Sequence, residues 1–259
     1  MPEYIIEIFP WFSLVLGLIL GSFYNVCIHR YLVGEKVNDP PRSHCPKCGH
    51  KLSWHENLPL ISYAILKGRC KSCNKPISAR YPLVEAISGV LATALAFKYG
   101  PSVEWLVYMV FTGGLIVASF IDFAEFILPD EVTLGGAPLA FLSAWLLLDL
   151  SWIDSLAGAA LGAGIFLLLQ RVYRRIRGDE GMGTGDVKLM LLIGALTGWQ
   201  SLAFIIFAGS LSALIASLAY LRAGEGMRTA VPFGPFLAAG AILYILVGEA
   251  AMDWYMGVV

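Results

Sequence analysis

The sequence predicts an all-α polytopic membrane protein: about eight transmembrane helices and one small polar insert. Three observations carry this. First, hydrophobic residues make up 58% of the 259, charged residues only 14%, and mean hydropathy is +0.71, whereas a soluble domain carries about 25% charge. Second, eight apolar runs follow one another along the chain. Third, a single stretch, 29–81, is polar and holds four of the five cysteines. The net charge of −1 is uninformative; the placement of the charges carries the message.

The first run, 8–28, has 21 residues without a charge, enough to cross a hydrocarbon core of about 30 Å. Glu3 and Glu7 precede it rather than basic residues. A cleavable signal peptide needs a basic start, so a retained helix is expected. The remaining runs lie at roughly 82–97, 105–121, 132–148, 155–170, 187–200, 201–221 and 231–248. The second and sixth are short for a full span. Between 187–200 and 201–221 the break is weak, marked only by Gly198-Trp199-Gln200-Ser201, with Trp199 suited to an interface. The expected organisation is a first transmembrane helix (1–28), a four-cysteine insert (29–81) and a transmembrane core (82–259).

Orientation follows from the bias of Lys and Arg toward the cytoplasm. With the first helix running inward, eight alternating crossings place all 18 basic residues except Lys98 on the cytoplasmic side. That set includes Arg30 to Arg80, Arg171 to Arg177, Lys188, Arg222 and Arg228. Both termini then face outward.

The insert contains Cys45-Pro-Lys-Cys48-Gly49 and Cys70-Lys-Ser-Cys73, two CxxC pairs 21 residues apart. Four thiolates on two tight turns close a tetrahedral shell around zinc, with Zn–S near 2.3 Å. Gly49 suits a turn whose amides point at sulfur. Disulfides or free thiols are the alternatives, and a reducing cytoplasm argues against disulfides. A four-cysteine shell has no open position, which points to structure rather than catalysis. His44, His50 and His55 are read as lying outside the shell, and Cys27 as a small buried apolar residue.

Two acidic residues stand out against the apolar background. Asp122 ends the run 105–121, and Asp186 sits in Gly181-Met-Gly-Thr-Gly-Asp186-Val-Lys. An ionisable residue at membrane depth is costly and marks a functional site by default. Each has a bland explanation: Asp122 solvated at the interface, Asp186 capping the next helix, Asp130 and Glu131 as loop charges or a cap. The basic-residue topology nevertheless puts Asp122 and Asp186 on the same side, and the glycines allow backbone to approach a substrate closely. One carboxylic acid beside one carboxylate can activate water, which is aspartic protease chemistry.

Asp122-Phe-Ala-Glu-Phe-Ile-Leu-Pro-Asp130 and Gly181-Met-Gly-Thr-Gly-Asp186-Val-Lys-Leu189 resemble the two signatures of the type IV prepilin peptidases, within the Gly-x-Gly-Asp intramembrane aspartyl proteases. Gly21-Ser-Phe-Tyr-Asn-Val26, the paired CxxC insert, Arg80-Tyr-Pro-Leu-Val-Glu85 and Pro232-Phe-Gly-Pro235 match as well, so the resemblance spans about 17–240. It implies a bifunctional enzyme of the bacterial inner membrane. Such enzymes cut the short basic leader from type IV prepilins and pseudopilins at the cytoplasmic face, after a glycine. The long, cysteine-containing type then methylates the new N-terminal amine with S-adenosylmethionine. Asp122 and Asp186 would be catalytic; Cys45, Cys48, Cys70 and Cys73 would hold zinc. The methyl-donor site cannot be placed from the sequence, and no nucleic-acid partner is expected.

Two other classes remain open at this point: a transporter whose aspartates relay protons, and a membrane-anchored zinc scaffold with inert aspartates. The first predicts carboxylates near mid-membrane and has no use for the insert.

Overall fold

In the computed structural model, residues 3–39, 43–178, 183–222, 231–248 and 250–251 are described. Gly181 and Met182 of the glycine-rich motif, and Arg42 and Arg228 of the basic set, lie outside the described residues. Every apolar run of the sequence is a helix. In chain order these are α1 (Glu3–Val33), the short α2 (Ile61–Ile65) within the insert, α3 (Arg80–Tyr99), α4 (Val103–Glu125) and α5 (Asp130–Leu147). Then come α6 (Trp152–Arg177), α7 (Thr184–Thr197), α8 (Leu202–Arg222) and α9 (Gly234–Leu243), the last continued by a π-helical turn, Tyr244–Gly248. Among the described residues the only β pairing is two isolated bridges, both in the insert.

Five described helices are long and apolar enough to cross a membrane: α1, α3, α4, α6 and α8. α5, α7 and α9 fall short of that measure for separate reasons. α5 opens on Asp130 and Glu131. α9 has 10 residues before its π turn. α7 has 14 residues, about 21 Å at 1.5 Å per residue. It is covered by protein instead: Leu189 and Met190 are fully buried, and α5, α6 and α9 pack around it. The weak break in the sequence is a real one. Gly198 ends α7 at φ +78°, a one-turn 3₁₀ segment follows, and the Trp199 indole donates to Asp154 Oδ1 at 2.9 Å.

The chain forms two compact units, Met1–Val117 and Ala118–Val259, dividing within α4. In the first, α1 packs on α3 through small residues. A Cβ on Gly17 would meet Ala92 Cβ at 2.6 Å, and one on Gly21 would meet Glu85 Cα at 2.7 Å. Apolar surface gives no drive for helices to associate in lipid, so close backbone approach at a Gly-x-x-x-Gly step does the work. The second unit repeats the device: Gly158 lies against the Gly194 carbonyl, and a Cβ on Gly162 would meet that of Met190 at 2.6 Å. Ser155 seals the α6–α7 contact by donating to the Ala195 carbonyl at 2.6 Å. Large apolar side chains point outward, among them Trp11, Val90, Phe97 and Phe207, the surface a bilayer requires.

Candidate active site and metal centre

In the second unit, Asp122 sits one turn before the end of α4 and Asp186 in the first turn of α7. They are 5% and 8% exposed, so neither is a solvated surface charge. The two carboxylates are within Coulombic range of each other. Local structure explains how they arrive there. α4 ends when Phe126 turns left-handed at φ +58°, its amide donating to the Asp122 carbonyl at 2.9 Å. The chain then carries buried Leu128 inward before Pro129 caps α5.

Leu128 lies between two glycines. A Cβ on Gly185 would meet Leu128 Cβ at 3.1 Å, and one on Gly234 would meet Leu128 Cδ1 at 3.0 Å. The same Gly234 Cβ would stand 2.6 Å from Asp122 Oδ2, inside contact distance, so a side chain there would have to displace the carboxylate. Gly234 opens α9, and its amide donates to the Asp122 carboxylate. An unpaired amide at a helix N-terminus is a natural partner for a carboxylate. Gly234 was visible in the sequence as part of Pro232-Phe-Gly-Pro235 but carried no role there. Its role is a three-dimensional clearance.

Asp130 is brought into a different contact. Lys188 Nζ donates to Asp130 Oδ1 at 2.6 Å, with the aspartate side chain 59% exposed. It ties the start of α5 to the first turn of α7, a surface pair of modest energetic worth.

In the first unit, Cys45, Cys48, Cys70 and Cys73 converge, their four Sγ atoms all within 4.8 Å of one another and free of disulfides. Cys45–Cys73 and Cys48–Cys70 are each 4.0 Å apart; a tetrahedral zinc site has sulfur edges near 3.8 Å. Two copies of one turn build the cluster. The Cys45 amide donates to the His50 carbonyl at 2.9 Å and the Gly49 amide to that of Cys45 at 2.9 Å. The Cys70 amide donates to the Lys75 carbonyl at 3.0 Å and the Asn74 amide to that of Cys70 at 2.9 Å. Gly49 and Asn74 take the corresponding left-handed position, at φ +71° and +55°. The donor set and its spread suit zinc.

Of the nearby histidines, His50 Nε2 lies 3.3 Å from Glu56 Oε2. Glu56 also accepts the Ser53 amide at 2.8 Å. That amide, and then His50, hold the buried Glu56 carboxyl down at about 2.

A helical membrane fold with two buried carboxylates within Coulombic range at helix ends has the layout of an aspartic peptidase working at a membrane. Two family models match in tandem: the bacterial peptidase A24 N-terminal domain over residues 15–99 and the type IV leader peptidase family over residues 109–218. The chain is 35% identical to the prepilin leader peptidase/N-methyltransferase of Pseudomonas putida, over 96% of this chain and 92% of that protein. With the protein of the same description from Aeromonas hydrophila it is 35% identical over 95% of each. With that from Myxococcus xanthus it is 37% identical over 88% of this chain and 69% of that protein. No solved structure matches it. The chain belongs to the type IV leader peptidase family.

Proposed function

We propose that this protein removes the leader peptide of type IV prepilins and pseudopilins and then methylates the new N-terminal amine. The observation that carries the peptidase half is the pair of buried, mutually interacting aspartates, with the Gly234 amide on Asp122. One ionised aspartate takes a proton from water while the other, protonated, donates to the scissile carbonyl oxygen. The water oxygen bonds to the carbonyl carbon; collapse of the tetrahedral species breaks the C–N bond, the pilin amine leaving with a proton from the aspartates while the leader keeps the new carboxyl terminus. The Gly234 amide fixes the Asp122 carboxylate in place, so its oxygens are oriented before substrate arrives.

The distribution of basic residues supports a cytoplasmic side for this site and the insert, in a bacterial inner membrane. A hydrophobic pilin segment then stays in lipid while its basic leader stays in water. Cys45, Cys48, Cys70 and Cys73 hold one zinc that shapes the insert.

For the second activity, S-adenosylmethionine supplies an electrophilic methyl group. The new amine, unprotonated, would take that methyl group and release a proton to solvent. The relatives' shared description as peptidase and N-methyltransferase supports this half. Incubating purified protein with a prepilin, with and without S-adenosylmethionine, tests both halves: leader removal and a mass gain of one methyl are expected. Intact prepilin after prolonged incubation would exclude the peptidase reading and favour the transporter or scaffold classes.

A further inference from the structure

Among the described residues of Ala118–Val259, two that are not glycine take a left-handed φ: Asp149 at +54° and Phe126 at +58°. Aspartate tolerates that conformation through its short polar side chain, whereas for an aromatic residue it is an outlier. Strain of this kind persists only where the surroundings fix it, and it gathers at segments that hold a ligand. Here the surroundings are those of the catalytic site. The Phe126 amide is held by the Asp122 carbonyl, and two residues later Leu128 is wedged between Gly185 and Gly234. Leu128 is 7% exposed, while Phe126 and Ile127, just before it, are turned outward at 56% and 50%.

Two large apolar side chains therefore stand at the edge of the site. Phe123, one turn earlier, lies edge-on to Phe236 at 6.3 Å; the Phe126 ring has no ring partner among the described residues. Lipid is the ordinary neighbour of an outward apolar side chain in this fold, but contact with lipid gives no reason to hold a ring in a strained turn. Glycine makes the same turn without strain. The acidic side chains bracketing the pair in sequence, Glu125, Asp130 and Glu131, are exposed, and Asp130 already engages Lys188. That balance suits a substrate whose polar part is cationic and whose apolar part lies beside it.

We propose that Phe126, with Ile127, is a specificity-determining contact that holds the apolar residues of the substrate directly past the scissile bond. This inference rests on the peptidase half of the proposed function, in which the substrate enters lipid just after the bond that is cut. The first residues beyond that bond then meet the membrane edge where α4 ends.

The test uses full-length protein in vesicles of phosphatidylethanolamine and phosphatidylglycerol. Phe126→Gly removes the ring and relieves the turn, so its thermal stability should match or exceed that of wild type. Its KM for prepilin should nevertheless rise about tenfold or more, with kcat nearly unchanged. Prepilin carrying alanine at the apolar positions past the scissile bond should lose as much with wild-type enzyme, and the two losses should not add. Unchanged kinetics in Phe126→Gly, or losses that add in full, overturn the contact. Benzoylphenylalanine in place of Phe126, combined with Asp186→Asn to keep the substrate uncut, identifies the occupant by photocross-linking. An adduct with prepilin residues past the scissile bond is expected. Adducts with lipid alone, with a second copy of this chain, or with the leader overturn the assignment. If wild-type protein cleaves and Phe126→Gly cleaves equally well, only the contact falls. If wild-type protein leaves prepilin intact, the peptidase reading falls and the contact with it.

Discussion

The four-cysteine cluster and the aspartate pair are built in opposite ways. Each half of the cluster is a local object: six residues, one repeated turn, and a left-handed residue directly after the second cysteine. The aspartates are 64 positions apart in sequence and meet only because α4, α7 and α9 bring their ends together around Leu128. The cluster therefore depends on the atoms it contains. The pair depends equally on atoms that are missing, the side chains absent at Gly185 and Gly234.

The sharpest test of that contrast removes one carboxylate. Asp122→Asn and Asp186→Asn should each lower leader cleavage by about 10²- to 10⁴-fold or more, with the protein still folded in membranes. Robust cleavage by either would end the two-aspartate mechanism. Asp186→Asn should still methylate pre-cleaved pilin, since acid–base groups for hydrolysis are not needed for methyl transfer; failure there in a folded protein would mean one site serves both reactions.

Next in size is the clearance. Gly234→Ala puts a methyl group 2.6 Å from Asp122 Oδ2 and should cost cleavage about 10²-fold by displacing that carboxylate. Gly185→Ala, with its nearest contact to Leu128 at 3.1 Å, should cost less. Equal rates for Gly234→Ala and wild type would show that the carboxylate is free to move.

Cys48→Ser or Cys73→Ser should reduce bound zinc well below about one equivalent, read by metal analysis. Methylation should fall at least as much as cleavage. Full occupancy in either variant would refute the four-thiolate shell.

The smallest effect is at Glu56. Its folded value of about 2 lies below the ordinary 4.5, so its stabilisation is present above pH 4.5 and is lost as pH falls toward 2. The thermal stability of wild-type protein should exceed that of Glu56→Gln at neutral pH, and the gap should close across that acid window. A gap independent of pH would assign the loss to packing rather than charge.

Much of this architecture was legible in the residues. Apolar runs became helices because lipid-facing backbone must satisfy its own hydrogen bonds, and two CxxC pairs at that spacing converge through local turns. Asp122 and Asp186 stood out because carboxylates are costly in such surroundings. α1 nevertheless runs on to Val33, past the expected end at 28, since Arg30 stays within the helix and bonds back to the carbonyls of Lys36 and Val37. What the sequence could not express is clearance and enclosure. Gly234 matters through its distance to Asp122, and a cavity beside Asn25 exists only once the insert folds over the ends of α1 and α3. The lengths of α5, α7 and α9 were hidden too, because a helix covered by protein need not satisfy the rule for a lipid-exposed span.

The pairing of α6 with α7 also works as a measuring device. Gly158 lies against Gly194 and Gly162 against Met190, so the helices run antiparallel and Thr184 is level with residue 168. α6 continues to Arg177, rising about 13 Å beyond the point where α7 begins, at 1.5 Å per residue. Asp186 thus sits at the foot of a ledge. The length of one helix relative to its neighbour thereby sets how far Asp186 lies below the end of α6.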